Sequence, residues 1–424
     1  MKAGSNRNSA GLVLSGGGAR GAYETGILYY LFVDAPPELR EAVNFRVLCG
    51  TSIGALSISA LAANIHQPAQ GMRKLCELWR GLRLEDVLQL GLTDVMSLPG
   101  WVLGRNRRSS VFPGEKVRAL IEDSIDWEQI HVNLGEGRLD AVSLSCTQIT
   151  TGKTVVFYET GDGRPRRFSR DPNVRPVHAR LGPIHAEASA AIPFVFPSVE
   201  IDGIPYADGG LRQNTPLSPA LRMGSERLLV VSLSHAAKQQ GDLSMNGAGS
   251  TVSPVFVLAK LVNALMLDHV AYDLVRLGHV NRLLSDGEAV FGEQFIARLN
   301  TMVGPIRGAH YRIIPHLILR PSRDLGKMAA QYIRGPGLSN KRSVITRMLR
   351  TLARMENRDE ADLTSYLLFE GGYCEQLMDL GIQDAKANHD QLLALFCEPA
   401  VERTQAVSMR ATITRGVRNS GSEP

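Results

Sequence analysis

Ser52 lies in Gly50-Thr51-Ser52-Ile53-Gly54, a G-x-S-x-G spacing. That spacing suits a nucleophilic serine. A sharp strand-to-helix turn lifts the hydroxyl clear of the backbone, and side chains at the two flanking glycines would collide with neighbouring chain. A helix starting at Ile53 aims its N-terminal dipole at charge developing beside the hydroxyl. Taken alone, the pentapeptide also reads as a serine capping a helix in a glycine-rich turn.

Upstream, Gly16, Gly18 and Gly21 have the spacing G-x-G-x-x-G, which could serve either of two negative charges. One is the pyrophosphate of a dinucleotide. The other is the oxyanion formed when an ester is attacked. The first needs an acidic residue about twenty positions on, at the end of the second strand. That position reads Val47-Leu48-Cys49-Gly50, and the nearest carboxylates, Asp34 and Glu41, fall between helix and strand. The second needs main-chain donors beside the serine. Gly17, Gly18 and Ala19 are placed to supply them, because glycine lets backbone approach without a Cβ in the way.

An attacking serine needs a proton acceptor. None of the ten histidines has a diagnostic context. His178 and His185 fall on one expected helix, His269 and His279 on another, and His235 is the first histidine after Asp208. Asp208, in Tyr206-Ala207-Asp208-Gly209-Gly210, is the informative acid. A D-G pair is a common turn, but Asp202-Gly203 already supplies the hairpin turn just upstream. A carboxylate at a strand end, followed by glycines that admit another backbone, is suited to meet the serine. Three readings stay open: a Ser52–Asp208 dyad, a general α/β-hydrolase esterase with a His-containing triad, and a nucleotide-binding module on the first glycine loop.

These residues need strands and helices to hold them. Leu12–Leu14 reads as a strand, Gly21–Val33 as a helix ended by Pro36 and Pro37, Phe45–Cys49 as a second strand and Ile53–Asn64 as a second helix. This alternation opens a parallel α/β sheet. Residues 47–65 carry no charge, yet their glycines, serines and Asn64 fit a buried strand, turn and helix better than a bilayer span. From Gly71 to Ile130 the pattern is helical with basic loops such as Arg105–Arg108. Leu139–Thr147, Thr154–Tyr158, Arg227–Leu233 and Tyr311–Leu319 read as strands, Val199–Ala207 as a hairpin, and His178–Ala191 as a helix stopped by Pro193. Apolar spacing from Val255 to Leu284 predicts a long helix packed on the core, and Lys341–Met355 a basic helix. The basic clusters Arg164–Arg170 and Lys341–Arg354 read as solvated faces that anionic headgroups could use.

The chain has 424 residues, 44% apolar and 21% charged, with a net charge of +5. This composition suits a folded protein with a large core. The excess of positive charge fits transient contact with an anionic membrane surface, whereas nucleic-acid binding has no supporting motif. Five scattered cysteines without a C-x-x-C pair argue for a reducing compartment and against a disulfide framework. No metal-ligand spacing occurs, and the N-terminus lacks a charged-then-apolar signal. The expected location is cytoplasmic, peripheral to a membrane. The expected organisation is a leader over 1–10, a catalytic domain over 11–235, a linker or surface loop over 236–254, a mainly helical region over 255–400 that completes or covers the core, and a disordered tail over 401–424.

Three blocks in order, Gly16-Gly17-Gly18-Ala19-Arg20-Gly21, Gly50-Thr51-Ser52-Ile53-Gly54 and Asp208-Gly209-Gly210, resemble the patatin-like phospholipase family. The run Ala188-Ser189-Ala190-Ala191-Ile192-Pro193 leading into the Ile201-Asp202-Gly203 hairpin resembles it too. The resemblance covers about the first 235 residues. It implies a three-layer α/β/α fold with a mostly parallel central sheet and a helical C-terminal region. It also implies a lipid acyl hydrolase with Ser52 as nucleophile and Asp208 as base, acting on phospholipid or another acyl-ester lipid through an acyl-serine. Gly16, Gly17 and Gly18 would form the oxyanion hole, Arg20 would fix that loop rather than touch a lipid phosphate, and Gly50, Gly54, Gly209 and Gly210 would support the two catalytic turns. No metal or other cofactor is implied.

Overall fold

The computed structural model describes residues 9–88, 110–166, 172–235, 270–307, 310–335, 338, 343–356 and 361–397. The expected linker over 236–254, most of the leader, the tail over 401–424, Arg105–Arg108 and His269 lie outside these residues.

Among the described residues nine strands form one sheet: β1 (Ala10–Leu14), β2 (Phe45–Thr51), β3 (Ala141–Gln148), β4 (Thr154–Thr160), β5 (Val174–His178), β6 (Val199–Ile201), β7 (Ile204–Asp208), β8 (Arg227–Val231) and β9 (His316–Leu319). Their order is β5-β4-β3-β2-β1-β8-β9, with β7 on β3 and β6 on β7. The run β3-β2-β1-β8-β9 is parallel. Strands β4 and β7 pair antiparallel with β3. The mostly parallel sheet with helices on both faces is the expected fold class.

Burial on both faces explains why the central strands are apolar without alternation. Leu12, Leu14, Leu48, Leu229 and Val231 join the core on one face. Val13, Val47, Cys49, Leu228 and Val230 join a smaller core on the other. The first face is covered by helices Gly21–Tyr29, Ile53–Asn64, Pro68–Gly81 and Gly371–Ala387, the second by Leu217–Arg222 and part of Val270–Phe291.

The helix Gly371–Ala387 packs directly on Gly21–Tyr29. A Cβ on Gly26 would stand 2.1 Å from Met378 O, and one on Gly381 2.2 Å from Tyr23 O. Each helix therefore presents a glycine where the other's backbone crosses it. The C-terminal region is thus part of the main core. Among the described residues no helix is long and apolar enough to cross a membrane.

Several expectations need correction. His178 ends β5 instead of starting a helix; that helix runs only over Pro183–Ala190. Leu181 N–H donates to Glu159 and His185 Nδ1 accepts from Gly182 N–H, so the chain turns here before the helix begins. Ala10, the last residue of the expected leader, belongs to β1. The strand expected from Tyr311 starts only at His316. Of the 255–284 segment, residues 270–284 are helical, but only one face is packed: Leu277 and Leu284 are buried, while Val275 and Leu283 are exposed.

Candidate active site

The strand register decides which side chains can meet. Thr51, the last residue of β2, pairs with Ser145 of β3. On the same flank of β3, just past the end of β2, Cys146 pairs with Asp208, the last residue of β7; β4 takes the opposite flank from Ala141 to Thr147. Strands β2 and β7 therefore meet end to end along one edge of β3, and Ser52 and Asp208 come together at that junction.

Ser52 occupies the turn between β2 and helix Ile53–Asn64 with φ 55° and ψ −125°. This is a conformation that L residues hold only when their surroundings over-determine it. The surroundings do so. A Cβ on Gly50 would lie 2.4 Å from Gly54 O, and one on Gly54 2.6 Å from Leu14 O. The two flanking glycines are thus required by close approach, as the spacing predicts. Ser52 N–H donates to Ser189 Oγ at 2.9 Å, and Ser189 Oγ–H donates to Ser145 O at 2.6 Å. Ser189 ties the turn to β3. Its block was visible in the sequence, but nothing about a serine on a short helix announces this relay.

Ser52 Oγ–H donates to Asp208 Oδ2 at 2.5 Å. The other carboxylate oxygen, Oδ1, accepts from Gly210 N–H at 2.7 Å. Asp208 is fully buried. Burial pushes its carboxyl up to about 7, against the opposing pull of the Ser52 and Gly210 hydrogen bonds. A base poised there can accept a proton near neutral pH. Thr147 Oγ1–H donates to Asp208 O, and Asp208 N–H to Ala191 O, which hold the backbone on both sides. Gly209 runs against β3, where a Cβ would stand 2.2 Å from Ser145 O.

The strap after Asp208 laces the site to the glycine loop. Asn214 O accepts from Gly16 N–H at 3.1 Å, and Asn214 Nδ2–H donates to Gly16 O at 3.1 Å. A Cβ on Gly16 would also stand 3.0 Å from Ser52 Cβ, so the loop lies against the serine. The Gly16 N–H is thereby spent, and the expected donor set of Gly16, Gly17 and Gly18 narrows to the last two. Gly17 and Gly18 N–H have no hydrogen-bond partner among the described residues. Gly18 has φ +56°, and a Cβ there would meet Tyr366 O at 2.2 Å.

Arg20 does not line the cavity at Ser52. Its Nε–H donates to Ser365 Oγ at 2.7 Å, its Nη2 bonds Asp362 O and Oδ1 at 3.1 and 3.2 Å, and its guanidinium lies 4.2 Å over the Tyr366 ring. It fastens the glycine loop to helix Asp362–Leu367. The sequence pointed to a fixing role but assigned that C-terminal region no chemistry.

From Ser52 a cavity of about 610 Å³ runs along helix Ile53–Asn64. Ile53, Leu56, Ala60, Leu75, Trp79 and Ile121 line it, and Asn64, Gln67 and Lys74 stand at the far end. Its walls suit an alkyl chain, with the hydroxyl at one end.

Other candidates stand apart. Among the described residues no histidine hydrogen-bonds Ser52 or Asp208; His235 bonds Ser322 O at 3.2 Å and His185 bonds Gly182. The end of β2 carries the serine turn where a ribose-binding acid would be needed. Among the described residues, no group of three or more His, Cys, Asp or Glu is placed to share a metal ion.

Comparison with known proteins follows the same residues. A family model described as Patatin-like phospholipase matches residues 12–221. No curated protein sequence matches the chain. Among solved structures, VipD from Legionella pneumophila is similar at 12% identity and a TM-score of 0.31, over 88% of this chain and 67% of that one. Human GIVD cytosolic phospholipase A2, solved with methyl gamma-linolenyl fluorophosphonate, is similar at 12% identity and a TM-score of 0.37, over 92% of this chain and 59% of that one. The ExoU-SpcU complex of Pseudomonas aeruginosa is similar at 16% identity and a TM-score of 0.27, over 98% and 78%.

Proposed function

Residues 12–221 place this chain in the patatin-like phospholipase family, and from that premise we propose that it hydrolyses acyl esters of lipids through a Ser52–Asp208 dyad. Ser52 Oγ attacks the ester carbonyl carbon while its proton passes to Asp208 Oδ2. The carbonyl oxygen, now negative, is held by the Gly17 and Gly18 N–H groups; a well-aimed donor of this kind contributes about 3 kcal/mol. As the tetrahedral species collapses, the ester C–O bond breaks and the leaving alkoxide takes the proton from Asp208. Water then attacks the acyl-serine and loses a proton to Asp208; the acyl–Oγ bond breaks, Ser52 Oγ takes that proton back, and free fatty acid leaves.

One observation carries the reading: a buried carboxylate accepts the serine hydrogen bond at 2.5 Å, beside two main-chain donors with no partner among the described residues. The apolar cavity beginning at Ser52 supports an acyl chain as the part of the substrate that enters. A His-containing triad has no imidazole in reach of either group among the described residues. Phospholipase A-type ester cleavage at a membrane surface is the activity we assign. The test is product analysis by mass spectrometry on a mixed lipid panel, together with fluorophosphonate labelling. Free fatty acid from wild type and none from Ser52→Ala is expected. Equal labelling of wild type and Ser52→Ala would overturn the assignment.

A further inference from the structure

Phe194 has φ +68° and is 55% exposed. It sits in the turn Ile192–Val195, closed by Val195 N–H donating to Ile192 O at 3.1 Å. Proline at the second position and a positive φ at the third make the pattern in which glycine normally takes the third place. Here the third residue is phenylalanine. The chain thus accepts a strained backbone and an aromatic ring in water at one position. The turn is firmly held: Val111 N–H donates to Phe194 O at 2.8 Å and Phe112 N–H to Val195 O at 3.0 Å. Strain that the surrounding structure enforces in this way points to a use for the side chain.

The ring is not alone. Phe194, Ile149, Pro193, Leu211 and Arg212 line one shallow groove, and Ile149 is 50% exposed. Lys153 closes the β3–β4 turn that carries Ile149, since Gln148 N–H donates to its carbonyl. Lys153 and Arg212 are exposed and have no ion pair among the described residues. The exposed acids of this part of the sheet, Glu200 and Asp202, belong to the tip half of the β6–β7 hairpin and do not line the groove. The groove also adjoins the reacting centre. Ala191 O accepts from Asp208 N–H, and Ile192 and Phe196, flanking Phe194, line the cavity that starts at Ser52.

We propose that this face, with Phe194 and Ile149 as apolar tips and Lys153 and Arg212 as flanking cations, docks the protein on an anionic lipid bilayer. Apolar side chains that enter the interface among unpaired cations combine burial with attraction to acidic headgroups. Docking there brings Ile192 and Phe196, which line the Ser52 cavity, up to the lipid surface. The choice of a bilayer rests on the lipid-hydrolase reading above. Docking itself does not require turnover, so the two can fail separately.

The test compares full-length wild type, Phe194→Gly, Arg212→Gln and Phe291→Ser. Each is measured for co-sedimentation with vesicles of phosphatidylcholine, with and without phosphatidylglycerol, for turnover of a soluble short-chain ester, and for thermal stability. Phe194→Gly should bind vesicles about tenfold more weakly or worse, keep its soluble-ester turnover, and melt no lower than wild type because glycine relieves the positive φ. Arg212→Gln should lose much of the preference for phosphatidylglycerol. Wild-type vesicle binding by Phe194→Gly overturns the proposal. So does loss of soluble-ester turnover in that variant, or loss of vesicle binding in Phe291→Ser, at an exposed aromatic elsewhere, in place of Phe194→Gly. If wild type binds vesicles but cleaves no ester, the hydrolase reading fails and the docking arm still gives its answer.

Discussion

Arg20 and Tyr366, from opposite ends of the chain, stack with the guanidinium 4.2 Å from the ring centroid. The contact makes the helix Asp362–Leu367 the backing of the glycine loop. It also explains why the loop needs arginine. One planar group meets Ser365, two oxygens of Asp362 and an aromatic face at once, which an ammonium cannot do. Arg20→Lys should therefore lower kcat by about 10- to 100-fold with little change in KM, because the oxyanion donors shift while the cavity does not. Steady-state kinetics on a soluble ester checks this; an unchanged kcat would remove the loop-fastening role.

Ser52→Ala should abolish ester cleavage while leaving the fold intact by circular dichroism. Asp208→Asn should keep the hydrogen-bonding shape but lose the proton acceptor, lowering kcat/KM roughly 10²- to 10⁴-fold. Pre-steady-state acylation rates are the cleaner readout, since they report the attack step alone.

Two pH effects follow from the Asp208 carboxyl at about 7. Catalysis needs the ionised form, so kcat/KM should fall about tenfold per pH unit below that value and level off above it. Stability runs the other way. The unfolded carboxyl titrates near 3.9, so between that value and about 7 the native state binds a proton that the unfolded state does not. Raising the pH through this window therefore destabilises the fold. Asp208→Asn removes that cost, and its melting temperature should exceed wild type at pH 8 by more than at pH 5.

Gly381→Ala tests whether the C-terminal helix belongs to the core. The added methyl would sit 2.2 Å from Tyr23 O, backbone that cannot yield cheaply. Overpacking of this kind costs about 1–3 kcal/mol. Chemical denaturation should show that loss in one cooperative transition. A first transition confined to the C-terminal part would contradict the shared core.

Ala60 lines the cavity about 12 Å along the helix from Ser52. Ala60→Phe should block the path of a long chain and spare a short one. Turnover of a long-chain acyl ester should fall at least about tenfold, a ratio within reach of steric exclusion, while a butyrate ester is cleaved as before. Equal losses on both esters would mean that the chain does not lie along this helix.

Much of the site could be read from residue types because its constraints are local. A serine at positive φ between two glycines that touch other backbone leaves a short, recognisable pattern, and Asp202-Gly203 marks a hairpin for the same reason. Alternating strands and helices likewise set the parallel sheet, since apolar runs of that length between glycine turns have few other ways to be buried. Elements with mixed patterns were less legible. β5, with Arg175 and Pro176 in its middle, is half exposed and carries no apolar run. The segment from Tyr311 to Pro315 looks like strand but lies outside the ladder.

The amino-acid order by itself determined the kinds of groups available: a hydroxyl on a strained turn, a carboxylate at a strand end, and main-chain donors free of side chains. Only the tertiary structure decided their partners. Pairing of β2 and β7 end to end along the same edge of β3 sets the 2.5 Å contact. The carbonyl of Asn214 takes Gly16 out of the donor set, and residues more than three hundred positions away anchor Arg20. The physical reason is that hydrogen-bond register and helix packing are settled by burial over the whole sheet, and no local spacing in a single chain encodes which distant backbone will arrive alongside.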